Sequence, residues 1–226
     1  MRELVYVSEA KLSQFESQGL NKHLARASEV AGKVPGVELR VNLSGRAAHP
    51  GLDRAVRKIG TSARWYTDDE LVPGQWVQFE ARLNYRVVHG GSHGGQSAAL
   101  LFWEPANGDE PRLLLHGSPE HLVGTRKTPP AETIGLPISH SGGMADFLDE
   151  LTGKSFSQAL HFLLGDLDRR TPPELAGWMA GYARLTADLA VTNTPAHFTR
   201  EERTPPTRVV LASPLYVEYT SAPEPG

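Results

Sequence analysis

The feature that most constrains this fold is a stretch, residues 77–88, in which apolar and polar side chains alternate. A period of two residues places successive side chains on opposite faces of a strand, so the stretch predicts a strand with one buried and one wet face. The apolar set is Val77, Phe79, Ala81, Leu83, Tyr85 and Val87. Because parallel strands are usually covered on both sides, a wet face is typical of an antiparallel sheet.

Strand patterns also occur before and after this stretch. Residues 98–104 and 112–116 follow it closely, which predicts an antiparallel meander of three consecutive strands. Residues 209–219 are predicted to form a last strand, bent or at the sheet edge near Pro214, since proline has no N–H for pairing. The other predicted strands are residues 4–7 and 37–43.

Helical patterns lie on either side of the predicted meander. They cover residues 9–16 (capped by Ser8), 20–31, 52–59, 144–151, 156–167 and 172–191. The last of these carries Leu175, Trp178, Met179, Tyr182, Leu185 and Leu189 at helical spacing, after a proline in its predicted first turn.

The order of the predicted elements indicates one α+β domain over residues 1–220. Strands are followed by helices, and a closing strand must then rejoin the sheet. We expect a mainly antiparallel sheet with helices packed on one side. Residues 193–207 are predicted to be a long loop or lid, and residues 221–226 a flexible tail.

Composition excludes several classes of protein. The chain has 226 residues and no cysteine, which excludes disulfides, thiolate metal sites and cysteine nucleophiles. With 23 Lys and Arg against 26 Asp and Glu, the net charge of −3 argues against a nucleic-acid partner. The longest apolar run, residues 98–103, is far shorter than the ~20 residues that cross a bilayer. Residues 4–7 are too short an apolar core for a signal peptide, so we expect a cytoplasmic protein with no membrane partner.

The most informative local motif is the turn at residues 116–121, where a predicted strand runs into Pro119. Ser118 is expected to cap a helical turn that Pro119 begins, and this structural role explains both residues. If the turn is functional, Ser118 and His121 favour recognition of an anion or another ligand over covalent catalysis. A serine nucleophile elbow needs glycine two residues to each side, whereas His116 and Glu120 stand there.

The histidine-containing, glycine-rich stretch at residues 89–95 is expected to be a mobile hairpin tip. His89 and His93 are four residues apart, but the surrounding glycines leave nothing to hold two imidazoles on a metal. The functional alternative is a flap that closes over a ligand. We predict no metal site and no cofactor.

Three segments carry a resemblance to a known family. They are residues 2–12 (RELVYVSEAKL), 113–122 (LLLHGSPEHL) and 211–218 (LASPLYVE). The chain resembles a family of actinobacterial proteins, mostly from streptomycete-type genomes, that has no assigned function. The resemblance implies a cytoplasmic bacterial accessory protein and supplies no catalytic residue.

Three functions follow from these residues. The first is a non-enzymatic module that binds a small molecule or a partner protein between sheet and helices. Its predicted ligand-binding residues are Ser118, His121, His116, Tyr85, Trp103, His89 and His93. The second is a hydrolase or transferase that uses His121 or His116 as base and Ser118 as ligand or nucleophile. The third is a structural or regulatory interaction protein. Binding ranks first because every catalytic motif is incomplete, and the sequence leaves the oligomeric state open.

Overall fold

The alternating stretch forms the strand around which the whole sheet is organised. The computed structural model describes residues 3–15, 50–90, 97–106, 111–123, 132–133, 156–191 and 207–222. The strands are β1 (Glu3–Val7), β2 (Arg64–Trp65), β3 (Trp76–Gly90), β4 (Ser97–Trp103), β5 (Arg112–Gly117), β6 (Glu132–Thr133), β7 (Gly177–Val191) and β8 (Thr207–Tyr219). The helices are α1 (residues 9–15), α2 (Pro50–Gly60) and α3 (Phe156–Arg170). The fold is α+β and mainly antiparallel, as predicted.

Strand pairing closes the sheet into a barrel. The first half of β3 pairs with β7 and its second half with β4, both antiparallel. The predicted meander is confirmed, because β4 also pairs antiparallel with β5. From β5 the ring continues through a parallel pair to β8 and an antiparallel pair back to β7. The first strand, β1, adds to the end of β8.

The two faces of the barrel carry separate cores. The inner face is filled by side chains such as Phe79, Leu83, Leu100, Leu113 and Met179, all essentially inaccessible to solvent. On the outer face, one cluster joins Leu101, Trp103 and Leu114 to the apolar side of α3. A second joins Leu12 of α1 and Leu52 and Ile59 of α2 to Leu215 and Tyr216. The helices therefore lie against the outer face of the sheet.

The predicted helix over residues 172–191 is wrong. Only a single 3-10 turn, Pro173–Leu175, precedes β7. Met179, Ala183 and Leu185 face the inner core, while Tyr182 packs on the outer face. Because the outer face also carries a large, mostly apolar side chain, Tyr182, the apolar residues of the strand reproduced a helical spacing by coincidence. The extended backbone is favoured by its aromatic and β-branched residues and by two neighbouring strands.

The last strand is bent at Pro214 but does not lie at an edge. Its register against β7 shifts between Ala183, opposite Pro214, and Tyr182, opposite Tyr216, so that Leu215 is an extra residue. A bulge of this kind accommodates a residue that cannot donate to the ladder. On its other side β8 pairs first with β5 and then with β1.

The remaining predicted elements have mixed outcomes. The predicted strands at residues 4–7, 98–104 and 112–116 and the predicted helices at 9–16, 52–59 and 156–167 are confirmed in the described residues. The predictions at 20–31, 37–43, 144–151 and nearly all of 193–207 and 221–226 lie outside them. Within the described ranges, every helix is too short or too polar to span a bilayer.

Candidate functional site

Four rings form a continuous row across one region of the barrel, which we call the aromatic row. Tyr85 stacks against Phe102 with their ring centroids 5.5 Å apart, and Phe102 meets Tyr6 edge-on at 6.1 Å. Tyr6 in turn meets the His121 ring edge-on at 5.7 Å. The two edge-on contacts align the positive edge of one ring with the negative face of the next, whereas the Tyr85 and Phe102 rings are tilted by 33° to each other.

The sheet register places these rings together. Tyr85 of β3 lies opposite Phe102 of β4, and both point to the inner face. Tyr6 enters from β1, whose free edge forms a bridge to Leu122 directly after His121. Tyr6 and Phe102 are fully buried, whereas 39% of Tyr85 is exposed and His121 is partly exposed. The row therefore runs from solvent through the core and back to solvent.

Tyr219 lies beside Tyr85 at the exposed end of the row. Tyr219, at the end of β8, is also 39% exposed and hydrogen-bonds to Tyr85. Burial, followed by the interactions with Tyr85 and Glu3, raises the pKa of Tyr219 to about 12. At Gly177 an added Cβ would lie 3.1 Å from the Tyr219 ring, so this glycine leaves room for it. The Tyr219 phenol therefore stays protonated at neutral pH.

The hydroxyl of Tyr6 fixes the middle of the row to two segments. It hydrogen-bonds to the side chain of Ser8 and the backbone of Ser118, while burial raises its pKa to about 12. Gly117 permits this contact, because an added Cβ would lie 2.5 Å from the Tyr6 hydroxyl oxygen. The start of α1 and the turn after β5 are thus held by one side chain.

Ser118 has the expected structural role as a cap. Its Oγ accepts a hydrogen bond from the Glu120 N–H at 3.3 Å, and Pro119–His121 form a 3-10 turn. Among the described residues, no histidine nitrogen contacts this oxygen. The imidazole of His121 is directed at the Tyr6 ring instead.

His116 lies on the outer face of β5, away from the aromatic row. Its Nε2 is 3.3 Å from Thr186 Oγ1. Burial, with a smaller contribution from the charge of Lys11, lowers the pKa of His116 to about 4. The imidazole is therefore neutral at physiological pH.

One of the other predicted site residues does not join the row. Trp103 is 0% exposed and packs in the outer core with α3, because it follows Phe102 on the strand and so points to the opposite face. His89 is a residue near the end of β3. His93 lies outside the described residues.

Sequence reasoning missed a polar cluster beside His116. Lys11 Nζ donates to Ser213 Oγ at 2.7 Å and to the Pro214 carbonyl at 2.8 Å. Burial and then the charge of Arg184 lower the pKa of Lys11 to about 8. Lys11 and Ser213 are 202 positions apart, so no local pattern could link them.

No group of three or more potential metal ligands comes together in the part of the chain that the structure describes.

Comparison with known proteins gives one family. Its model, described as a family of unknown function (DUF7019), matches residues 2–221. Neither a curated protein nor a solved structure matches the chain.

Proposed function

The chain belongs to the DUF7019 family of unknown function, and we propose that its barrel carries a binding site, with no catalytic role of its own, for a small molecule containing a planar ring. The observation that carries the proposal is the pair Tyr85 and Tyr219, two large rings on the inner face of the barrel that remain 39% exposed. Their mutual hydrogen bond and the buried Phe102 behind Tyr85 hold them in place. The resemblance of the sequence to actinobacterial accessory proteins supports a role in the bacterial cytoplasm.

The physical argument is preorganisation. Two rings fixed by neighbouring side chains lose little conformational entropy when a ligand binds, so more of the stacking energy contributes to affinity. A favourable aromatic contact contributes about 1 kcal/mol beyond the area it buries. Removal of one of the two rings is therefore expected to weaken binding roughly 5- to 10-fold.

The enzymatic alternative at residues 116–121 has less support. It needs a histidine nitrogen close to the Ser118 hydroxyl, and the observed partner of that hydroxyl is the Glu120 N–H. His116 contacts Thr186, and His121 contacts the ring of Tyr6. We therefore place the ligand on the tyrosine pair and give Ser118 the role of positioning the turn beside Tyr6.

A thermal-shift screen tests the binding proposal. The probes are nucleosides and nucleotides as ring-bearing compounds, with sugar phosphates and acyl phosphates as compounds without an aromatic ring. A ligand at 100 times its Kd adds ~2.7 kcal/mol, which for a chain of this size raises Tm by roughly 5–10 °C. We expect such a shift from ring-bearing compounds only.

The variants Tyr85→Ala and Tyr219→Ala locate the binding site. Each is expected to weaken the positive compound 5- to 10-fold in a calorimetric titration. Phe162→Ala is the matched control, since Phe162 is a 50% exposed aromatic residue of α3, which packs on the outer face of the barrel. A compound that binds all three variants with wild-type affinity, or a screen with no shift, would contradict the proposal.

A further inference from the structure

We propose that Ser213 is an acyl-accepting nucleophile and Lys11 its general base, acting on a small ester that carries an acidic group. The site lies on the outer face of the barrel and does not depend on the binding function of the tyrosine pair. Nucleophilic catalysis requires a hydroxyl and a base within hydrogen-bond reach, with the base held by a third group. The 2.7 Å contact from Lys11 Nζ to Ser213 Oγ and the 2.8 Å contact to the Pro214 carbonyl meet both requirements.

The course of β8 makes room for this pair. On one side β8 pairs with β5 as far as Ala212 and with β1 only from Tyr216 onward. The segment between them holds Ser213 and the bulge, and α1 begins against it, with the Ser8 N–H donating to the Leu215 carbonyl at 2.8 Å. Ser213 is partly exposed, so the pair lies at the surface of the barrel.

The groups around Lys11 favour its neutral form. Lys11 faces Arg184 of β7 and His116 of β5. Burial lowers its pKa most, and the charge of Arg184 adds to this effect. Within the described residues, no carboxylate pairs with Lys11 to stabilise the ammonium. With a pKa of about 8, roughly a tenth of the lysine is neutral at pH 7. In that form an N–H remains on the Pro214 carbonyl, and the nitrogen lone pair can accept the Ser213 proton.

The chemical step balances with water as the only co-reactant. Ser213 Oγ attacks the ester carbonyl carbon while its proton passes to Lys11 Nζ. The tetrahedral species collapses, the ester C–O bond breaks, and the Lys11 ammonium protonates the departing alkoxide. Water then attacks the acyl-serine with Lys11 again as base, which releases the carboxylic acid and restores both side chains.

Arg184 is the group that selects an acidic substrate. It lies directly opposite Ser213 in the register of β7 and β8, so both side chains point to the outer face. Its Nε donates to the Gly74 carbonyl at 3.1 Å, which orients the guanidinium at the surface. A carboxylate or phosphate on the substrate could therefore pair with the remaining N–H groups.

The test is covalent labelling of the full chain with a fluorophosphonate, followed by peptide mapping. We expect the phosphonyl group on Ser213, at a rate that rises with pH through about 8 as Lys11 loses its proton. Ser213→Ala should abolish this label. Lys11→Met should slow it at least about 100-fold, the range expected for loss of a general base.

Two further variants separate a catalytic role from a structural one. Lys11→Arg keeps a positive charge and hydrogen-bond donors but cannot act as a base, so it is expected to label as slowly as Lys11→Met while retaining the wild-type Tm. Lys58→Met, at an exposed position of α2, is the matched control and should label at the wild-type rate. Lack of label on Ser213, or a Lys11→Arg variant that labels at the wild-type rate, would overturn the proposal. Either result would leave ligand binding at Tyr85 and Tyr219 untouched.

Discussion

Acidification is expected to destabilise this protein through His116, and also through His161, whose pKa is likewise lowered by burial. Burial lowers the pKa of His116 to about 4, whereas the unfolded chain has an ordinary value near 6.5. Because the folded pKa is the lower one, folding favours the neutral imidazole. Its contribution is complete above pH 6.5 and is lost as the pH falls through 4, since the unfolded state binds the proton more readily.

The magnitude follows from the two pKa values. At pH 4 the unfolded histidine is almost fully protonated and the native one is half protonated, which corresponds to about 3 kcal/mol of lost stability. At pH 5 the corresponding loss is about 2 kcal/mol. These figures are upper values, because the His116 ring is partly exposed.

The assay compares wild type with His116→Gln by urea denaturation, followed through tryptophan fluorescence. Glutamine places a neutral amide near the position of Nε2 and can still reach Thr186 Oγ1. At pH 7.5 the histidine is neutral in the folded and the unfolded state. A measurement there gives the part of the change in unfolding free energy that does not depend on protonation. Relative to that reference, we expect the variant to gain about 2 kcal/mol over wild type at pH 5.

The carboxylates do not obscure this comparison, because they contribute equally to both proteins. Lys11, with a pKa of about 8, remains almost entirely charged between pH 7 and 4 and so adds little slope. If wild type and His116→Gln lose stability in parallel from pH 7.5 to 4, the reasoning is refuted.

The remaining predictions concern packing and are measured by chemical denaturation at pH 7.5. Gly117→Ala is expected to cost about 1–3 kcal/mol because its Cβ meets the buried Tyr6 hydroxyl, and an unchanged midpoint would contradict this. Gly165→Ala is the opposite case: nothing lies within 4 Å of its Cβ, so the helical position should gain about 1 kcal/mol. Leu163→Ala should cost about 2–4 kcal/mol because the side chain is buried between α3 and the barrel, whereas the exposed neighbour Phe162→Ala should cost under about 1 kcal/mol.

Prediction from sequence succeeded where the two faces of a strand differ in polarity. In β3, Phe79 and Leu83 alternate with charged residues, so the period was visible. In β7 it was hidden, because the ring of Tyr182 packs into a core on the outer face as Leu185 does on the inner face. The strands that pair with such a segment determine its conformation. The sequence of the segment alone does not show which strands these are.

The residues of the candidate site also differ in how far the sequence predicts their roles. The structural role of Ser118 could be predicted because a cap depends on adjacent residues. Tyr85 was predicted as a ligand-binding residue but Tyr219 was not, since the contact between the two rings depends on closure of the barrel. Trp103 was grouped with Tyr85 because both are aromatic, although β4 directs Trp103 to the opposite face.

The pairing of β8 with β1, β5 and β7 also determines when this protein can fold during synthesis. The ring of strands lacks a member until Thr207–Tyr219 has left the ribosome, and Glu3–Val7 must wait for the same segment. Joining strands so distant in sequence requires closing long loops first, which slows folding. The nascent chain therefore emerges with unpaired, apolar strands until β8 has been synthesised, and in this interval it depends most on chaperones.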